Sequence, residues 1–187
     1  MNEQKLIYGL RNGEEWAFKE LVSRFQDNVF NTSMGLLQHY TDAEDIAQEV
    51  FIQVYRSINS FKEASSLSTW IYRITVSKSL DLLRSKKRKK RFGFVSSLFG
   101  IDNQPIHEPI EFNHPGVLLD RRENAAILFS LVDELPENQR TAFLLNKVEE
   151  LSYREIAAIM NTTEAAVDAL LQRAKQNLRK KIKKLAP

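Results

Sequence analysis

Apolar residues recur every three or four positions along most of the chain, which is the spacing of one buried face of an α-helix. In the first half, the recurring apolar positions form three groups: Phe18, Leu21, Val22, Phe25 and Val29; Ile46, Val50, Phe51, Val54, Tyr55 and Ile58; and Leu67, Trp70, Ile71 and Ile74. No segment alternates apolar and polar residues for long enough to indicate a strand. The pattern therefore predicts an all-α fold.

The helical spacing is lost from about Phe92 to Leu119 and returns from Asn124. Three of the chain's five prolines lie in this segment, together with three of its six glycines. Such a composition is typical of a linker. We therefore predict two small helical domains, residues 1–91 and 122–187, joined by a flexible linker over residues 92–121.

The second domain contains two signals for the start of a helix. Ser152 and Glu155 have the spacing of a capping box, so a short helix is predicted to begin there. Thr163 is the predicted N-cap of a long final helix. Asn161 lies in the turn between these helices, and asparagine tolerates the positive φ angle that such a turn requires.

These two helices have the spacing of a helix-turn-helix. Ala157 places a small side chain at a close helix crossing, Val167 is predicted to face the first helix, and Ile156 and Leu171 complete the pattern. An ordinary helical hairpin has a similar pattern. The basic residues that follow Arg173 favour DNA binding, because a basic stripe can neutralise phosphates.

Charge is unevenly distributed along the first domain. The net charge of the chain is only +3, but residues 84–91 carry seven lysines and arginines, whereas residues 42–49 are acidic. Trp70 and Tyr72 precede the basic run on a predicted helix. Aromatic rings beside a positive surface suit unpaired nucleic acid, because bases stack on the rings while cations contact the backbone. A solvated helix end next to core aromatic residues explains the same pattern.

Several classes of function are disfavoured by the composition. The chain has no cysteine, so disulfides and thiolate zinc sites are excluded, and its three histidines lack metal-binding spacing. No glycine-rich phosphate loop is present, and we predict no enzyme activity, cofactor or metal. There is no signal sequence and no apolar segment long enough to cross a bilayer, so we expect a cytoplasmic protein without membrane insertion.

Three stretches resemble successive blocks of the bacterial sigma-70 family: "DAEDIAQEVFIQVYRSINSF", "STWIYRITVSKSLDLLRSKKR" and "LPENQRTAFLLNKVEELSYREIAAIMNTTEAAVDALLQRAKQNLRKKI". More narrowly, the chain resembles the extracytoplasmic-function (ECF) group, which keeps only sigma region two and sigma region four. The resemblance implies an RNA polymerase sigma factor that binds core polymerase and directs promoter recognition, DNA melting and transcription initiation. It assigns residues 1–91 to region two and residues 122–187 to region four.

The resemblance also implies partners and the residues that contact them. In the family, an acidic helix of region two binds the clamp helices of the largest polymerase subunit, and the polymerase flap is a further contact. The matching positions here are Asp45, Gln48, Glu49 and Phe51. A solvated acidic helix face explains the same residues. The family is often bound by an anti-sigma factor, which is therefore a further expected partner.

Promoter DNA is the other implied partner, both as duplex and as single strand. The loop "FKEASSLS", residues 61–68, is expected to recognise the minus-ten sequence, and nearby aromatic and basic residues to flank the unpaired strand. The minus-ten positions implied are Phe61, Lys62, Glu63, Ser65, Ser66, Trp70, Arg73, Lys78, Arg84, Lys86 and Lys87. Trp70 could equally be a core residue.

The second helix of the helix-turn-helix is expected to recognise the minus-thirty-five sequence. The implied positions are Thr163, Glu164, Ala165, Asp168, Ala169, Gln172 and Arg173, with Arg140 and Arg154 as candidate phosphate contacts. Asp168 departs from the family, because many relatives have a basic residue near this position. An aspartate there is repulsive to phosphate, although it can accept a hydrogen bond from cytosine.

The alternative function is a two-domain helix-turn-helix transcriptional regulator that acts without docking on core polymerase. It would require a small-molecule pocket or a dimer interface in the first domain. A separate expectation concerns the apolar residues Phe92, Phe94, Leu98 and Phe99 of the predicted linker. They are too apolar to remain in water, so we expect them to pack between the two domains or under a partner, and a local apolar cluster beneath the loop is the alternative.

Overall fold

The structure, a computed structural model, describes residues 2–98 and 122–185, with side chains described for residues 2–89 and 127–184. The first part contains α1 (Glu3–Arg11), α2 (Glu15–Leu37), α3 (Tyr40–Ser57), a short 3-10 helix (Ile58–Ser60) and α4 (Leu67–Leu98). The second part contains α5 (Arg122–Asp133), α6 (Glu137–Lys147), α7 (Tyr153–Met160) and α8 (Glu164–Leu185). No strand occurs in these two ranges, so the predicted all-α fold is confirmed.

Helices α1 to α4 form a bundle around the predicted apolar stripes. Fully buried side chains from all four helices meet in its centre: Leu6, Leu21, Val50, Val54 and Leu67. Helices α2 and α3 are joined by two residues only, Gln38 and His39. The turn is this short because Gln38 adopts a left-handed conformation, while the His39 side chain accepts a hydrogen bond from the Asp42 backbone at the start of α3.

Helices α5 to α8 form a second unit that contains the predicted helix-turn-helix. The capping box of Ser152 and Glu155 is present at the start of α7, and the Ala166 backbone N–H donates to Thr163 Oγ1 at the start of α8. Asn161 ends α7 with a φ angle of 52°, as predicted. The predicted core positions Ile156, Val167 and Leu171 are all fully buried.

Helix α4 is longer than the sequence pattern indicates. The prediction that helical structure ends near Phe92 is wrong, because α4 continues to Leu98. A helix is held by backbone hydrogen bonds and can continue where the apolar spacing is lost. Proline would interrupt those bonds, but the first proline after the start of α4 is Pro105, so no proline stops the helix before Leu98. The side chains of Phe92, Phe94, Leu98 and Phe99 lie outside the described residues.

The two units also pack against each other, because a second apolar cluster joins part of α2 and α4 to the core of α5 to α8. Leu36 of α2 and Tyr72, Val76 and Leu80 of α4 are buried together with core residues of α5 to α8. Gly35 of α2 lies against Leu144 of α6: a Cβ atom built at Gly35 would lie 3.5 Å from Leu144 Cδ2, in ordinary van der Waals contact, so a longer side chain would meet Leu144. Because the two units are packed together, the candidate contact residues of the first bundle have a defined position relative to those of α5 to α8. Among the described residues, no helix is long and apolar enough to cross a membrane.

Candidate polymerase and nucleic-acid interfaces

The acidic face of α3 is exposed as the spacing predicts. Asp45, Gln48 and Glu49 lie three and four positions apart, and all three side chains are exposed. Glu49 Oε2 also forms an ion pair with Lys78 Nζ of α4, at 2.9 Å. The structure therefore joins a residue predicted to contact polymerase to one predicted to contact DNA.

Phe51 has a different position from the other three. Its side chain is only 8% exposed and packs in the core of the bundle, but it also lines an open groove of about 540 Å³ between α2 and α3. Gln48 and Phe30 line the same groove. The sequence analysis did not identify Phe30, which stacks edge-to-face with Tyr40 at 5.4 Å. The one sequence feature that could have identified Phe30 is that it is a large apolar residue next to Val29 that does not belong to the apolar series of α2.

The loop before α4 has a buried base and an exposed tip. Phe61 is only 5% exposed, and its ring stacks on Trp70 with centroids 4.9 Å apart. Trp70 is half-buried, so part of its ring lies at the surface next to the loop. Lys62 and Ser66 are exposed at the tip, and Ser65 is half-buried. Phe61 thus supports the loop, whereas the polar tip is exposed to solvent.

Basic residues of α4 are engaged by contacts within the chain. Arg73 Nε donates to the Ala158 carbonyl of α7 at 2.8 Å, and Arg84 pairs with Asp81 and with Glu137 of α6. Lys86 pairs with Asp42 of α3, and Lys78 pairs with Glu49 as described above. Lys87 is exposed. Two predicted DNA contacts, Arg73 and Arg84, are therefore bonded to the second unit.

A polar cluster lies where α2 and α4 meet the turn between α6 and α7. Asn28 Nδ2 donates to the Tyr72 hydroxyl at 3.0 Å, and this hydroxyl donates to Glu149 Oε2 at 2.9 Å. Burial, followed by the charge of Glu149, raises the pKa of Tyr72 and keeps the phenol a donor. Burial also raises the pKa of the Glu149 carboxyl, against the hydrogen bond from Tyr72.

Helix α8 presents most of its predicted recognition positions to solvent. Exposed residues on this face are Glu164, Ala165, Ala169, Gln172 and Arg173. Asp168 is half-buried, and its Oδ2 accepts a hydrogen bond from Gln172 Nε2 at 3.0 Å. This bond uses one oxygen of the Asp168 carboxylate. The positions of the Asp168 and Gln172 side chains are therefore coupled. Thr163 lies exposed at the N-terminus of the same helix.

The two candidate phosphate contacts outside α8 differ sharply. Arg154 is exposed on α7. Arg140 is 2% exposed and forms an ion pair with Asp133 inside the second unit. A phosphate contact by Arg140 does not fit this geometry, because the buried guanidinium would have to leave its carboxylate partner.

Comparison with known proteins places these features in a family. The sigma-70 region 2 family matches residues 21–89, and the sigma-70, region 4 family matches residues 125–178. The ECF RNA polymerase sigma-E factor of Escherichia coli (strain K12) is 31% identical over 99% of this chain and 96% of its own length. The chain belongs to the ECF group of the sigma-70 family. The corresponding factor of Haemophilus influenzae is 32% identical to this sigma factor, over 99% and 97% of the two chains.

Solved structures support the fold of this sigma factor. CnrH in complex with the cytosolic domain of CnrY has a TM-score of 0.70 and 19% identity, and the match covers 97% of each chain. RpoE of Bartonella quintana in complex with the anti-sigma factor NepR has a TM-score of 0.64 and 19% identity, over 89% of this chain and 96% of that one. Members of the family are transcription initiation factors, and they bind core RNA polymerase and promoter DNA.

Proposed function

We propose that the sigma factor divides promoter recognition among three surfaces. The exposed face of α3 and the adjoining groove bind the clamp helices of core polymerase. The loop at residues 61–66 and α4 recognise and open the minus-ten element, and α8 recognises the minus-thirty-five element. In this assignment residues 1–91 act as region two, residues 92–121 as the linker and residues 122–187 as region four, with the polymerase flap as a further contact.

The observation that carries this proposal is that one face of α8 is exposed and that the turn before α8 is fixed by capping contacts. Thr163 caps the helix and Asn161 sets the turn, so the exposed face of α8 has a defined direction relative to α7. Such a rigidly presented helix is what the major groove admits. The exposed loop tip before α4 supplies a second contact surface on the same chain.

The packing of the two units supports a requirement for opening. Arg73 and Arg84 are bonded to α7 and α6, so the N–H groups used in those bonds are not available to a promoter strand while the bonds persist. We propose that core polymerase holds the two units apart, which releases both side chains to DNA. Arg140 has no part in this assignment, since its guanidinium is buried and paired.

An anti-sigma factor is the proposed partner of the inactive state. Two structures with similar folds were solved as complexes, one with the cytosolic domain of CnrY and one with the anti-sigma factor NepR. The groove between α2 and α3 offers such a partner a mixed surface, in which Phe30 and Phe51 lie among polar and acidic side chains. An anti-sigma factor bound there would compete directly with core polymerase.

The test is a binding assay of the α3 face with purified core polymerase. Replacing Asp45 and Gln48 with lysine reverses the local charge, and we expect core binding to weaken by at least about tenfold, because like charges at an interface are repulsive. Gln4→Lys is the matched control, since Gln4 is exposed on α1 and not on α3. Core binding that is unchanged by the double change, or that the control weakens equally, would contradict this assignment.

The same variants separate the sigma factor from a regulator that acts alone. A DNA mobility-shift experiment would compare promoter duplex with and without core polymerase. We expect a specific shift only when core polymerase is present, and its loss in the double variant. A specific shift by the chain alone, unchanged by the two lysines, would favour the regulator.

A further inference from the structure

Helix α1 has no role in the interfaces described so far, and it lies outside the region 2 match, which begins at residue 21. Two of its side chains nevertheless bind the segment that precedes α4. Arg11 Nη2 donates to the Phe61 carbonyl at 2.7 Å, and Arg11 Nη1 forms an ion pair with Glu63 Oε1 at 2.9 Å. Glu3 Oε1 accepts a hydrogen bond from the Leu67 backbone N–H at 3.2 Å. Helix α1 therefore contacts both ends of the loop.

The contact at Leu67 acts as a helix cap supplied from a distant part of the chain. Leu67 is the first residue of α4, and the N–H groups of the first helical turn have no partner inside the helix. Ser66 Oγ accepts from the Thr69 N–H at 3.1 Å, and Glu3 accepts from Leu67. The orientation of α4 where it leaves the loop is thus coupled to α1.

The contact between Arg11 and Glu63 stabilises an unfavourable backbone conformation at Glu63. Glu63 has a φ angle of 55°, a left-handed conformation that is disfavoured for residues with a Cβ atom. Glutamate has no intrinsic preference for this conformation, so a tertiary contact must compensate. The ion pair with Arg11 provides that contact, and it turns the carboxylate of Glu63 toward α1.

We propose that α1 positions the minus-ten loop, with Arg11 and Glu3 as positioning residues, and that Glu63 shapes the loop instead of contacting a base. The accessible polar groups at the tip are then those of Lys62, Ser65 and Ser66. This inference rests on the proposed role of the loop in minus-ten recognition. The side chains of Arg11 and Glu63 are 35% and 43% exposed, so their pair contributes little to folding stability. Its effect is expected mainly in sequence preference.

The test is transcription by core polymerase with each sigma variant on a promoter library whose minus-ten positions are randomised. Arg11→Gln removes both contacts to the loop, and Glu63→Gln removes only the ion pair. We expect the preference for the best minus-ten sequence over its nearest competitors to fall on the order of five- to tenfold in Arg11→Gln, the size of one lost base contact. Glu63→Gln should show a smaller loss, and Arg11→Lys, which keeps the charge, should restore part of the preference.

Lys19→Gln is the matched control, because it removes a highly exposed ion pair with Glu15 on α2, away from the loop. It should leave the preference unchanged, and thermal unfolding and core binding should be the same for all variants. If Arg11→Gln proves unstable, Glu63→Gln carries the test alone, since its side chain is in an exposed loop.

Two results would overturn the inference in distinguishable ways. If Arg11→Gln and Glu63→Gln lower transcription equally on every promoter, with the order and ratios of minus-ten sequences unchanged, α1 has only a structural role. If alanine at Lys62, Ser65 and Ser66 also leaves the preference unchanged, the loop does not recognise the minus-ten sequence, and the proposed function of the loop fails together with the inference.

Discussion

At the scale of single residues, four non-glycine residues in the described ranges have positive φ angles: Gln38, Glu63, Glu150 and Asn161. Only Asn161 could be predicted, because asparagine tolerates the left-handed region and glutamine and glutamate have no such preference. Gln38 and Glu63 instead have contacts with residues that are distant in sequence. Gln38 Nε2, for example, donates to the Phe129 carbonyl in the second unit at 2.9 Å.

Asn161 gives a stability prediction at this scale. Asn161→Ala should lower the free energy of unfolding by about 1 kcal/mol, because a Cβ-bearing residue without a local polar group is disfavoured at this φ angle. Asn161→Gly should cost nothing or stabilise slightly. Thr162→Ala is the control at the neighbouring exposed position. Denaturant unfolding of the full chain measures these changes, and equal stability of the alanine and glycine variants would contradict the prediction.

At the scale of elements, the turn between α6 and α7 forms one of the contacts between the helix-turn-helix and the first bundle. Glu149 of this turn accepts a hydrogen bond from Tyr72 of α4, and Asn28 of α2 donates to the same hydroxyl. Burial raises the pKa of Glu149 above its usual 4.5. The packed arrangement therefore favours the protonated carboxyl, and the stability that protonation contributes is lost as pH rises through the raised pKa.

Glu149→Gln should remove this pH dependence. Glutamine retains an oxygen that accepts the Tyr72 hydrogen bond but carries no charge to bury, so the variant should be more stable than the parent at neutral pH. The difference between the two should shrink as pH falls toward the usual glutamate pKa. Thermal unfolding from about pH 5 to pH 8 measures this difference. Glu150→Gln, at the exposed neighbouring position, is the control, and identical curves for both variants would refute the prediction.

At the scale of the whole molecule, the two units pack through a shared core and through polar contacts. Leu144 of α6 lies against Gly35 of α2, and Arg73 and Arg84 of α4 are bonded to α7 and α6. Sigma activity, as proposed above, requires these contacts to break. The packed arrangement is therefore expected to be the state of the free protein and not the one bound to promoter DNA.

Gly35 allows this arrangement to be tested by small-angle scattering. A compact chain of this length has a radius of gyration of about 16 Å, and we expect the free protein to be near that value. Gly35→Glu should displace Leu144 and increase the radius, because a long side chain does not fit at this crossing. Gly35→Ala is the control, since its Cβ atom would be in ordinary van der Waals contact at 3.5 Å. Equal radii for the two variants would mean that the units are not held together here.

Features that depend on residues a few positions apart could be predicted from the amino-acid sequence. Helical faces, the capping box of Ser152 and Glu155, the cap at Thr163 and the turn at Asn161 were predictable, because propensity and capping are local interactions. The exposed surfaces of α3 and α8 followed from the same periodicity. The pattern alone was sufficient to predict the fold class, whereas the candidate contact faces on α3 and α8 came from the resemblance to the sigma-70 family.

Tertiary structure decided which of the candidate residues are accessible and what holds them. Arg140 is buried against Asp133, Arg73 is bonded to Ala158, and Arg11 reaches a loop fifty residues away. No local pattern distinguishes these arginines from exposed ones, because burial and pairing depend on segments that are far apart in the chain. The packing of the two units was hidden for the same reason: a buried stripe shows that a helix face is covered, but not which helix covers it.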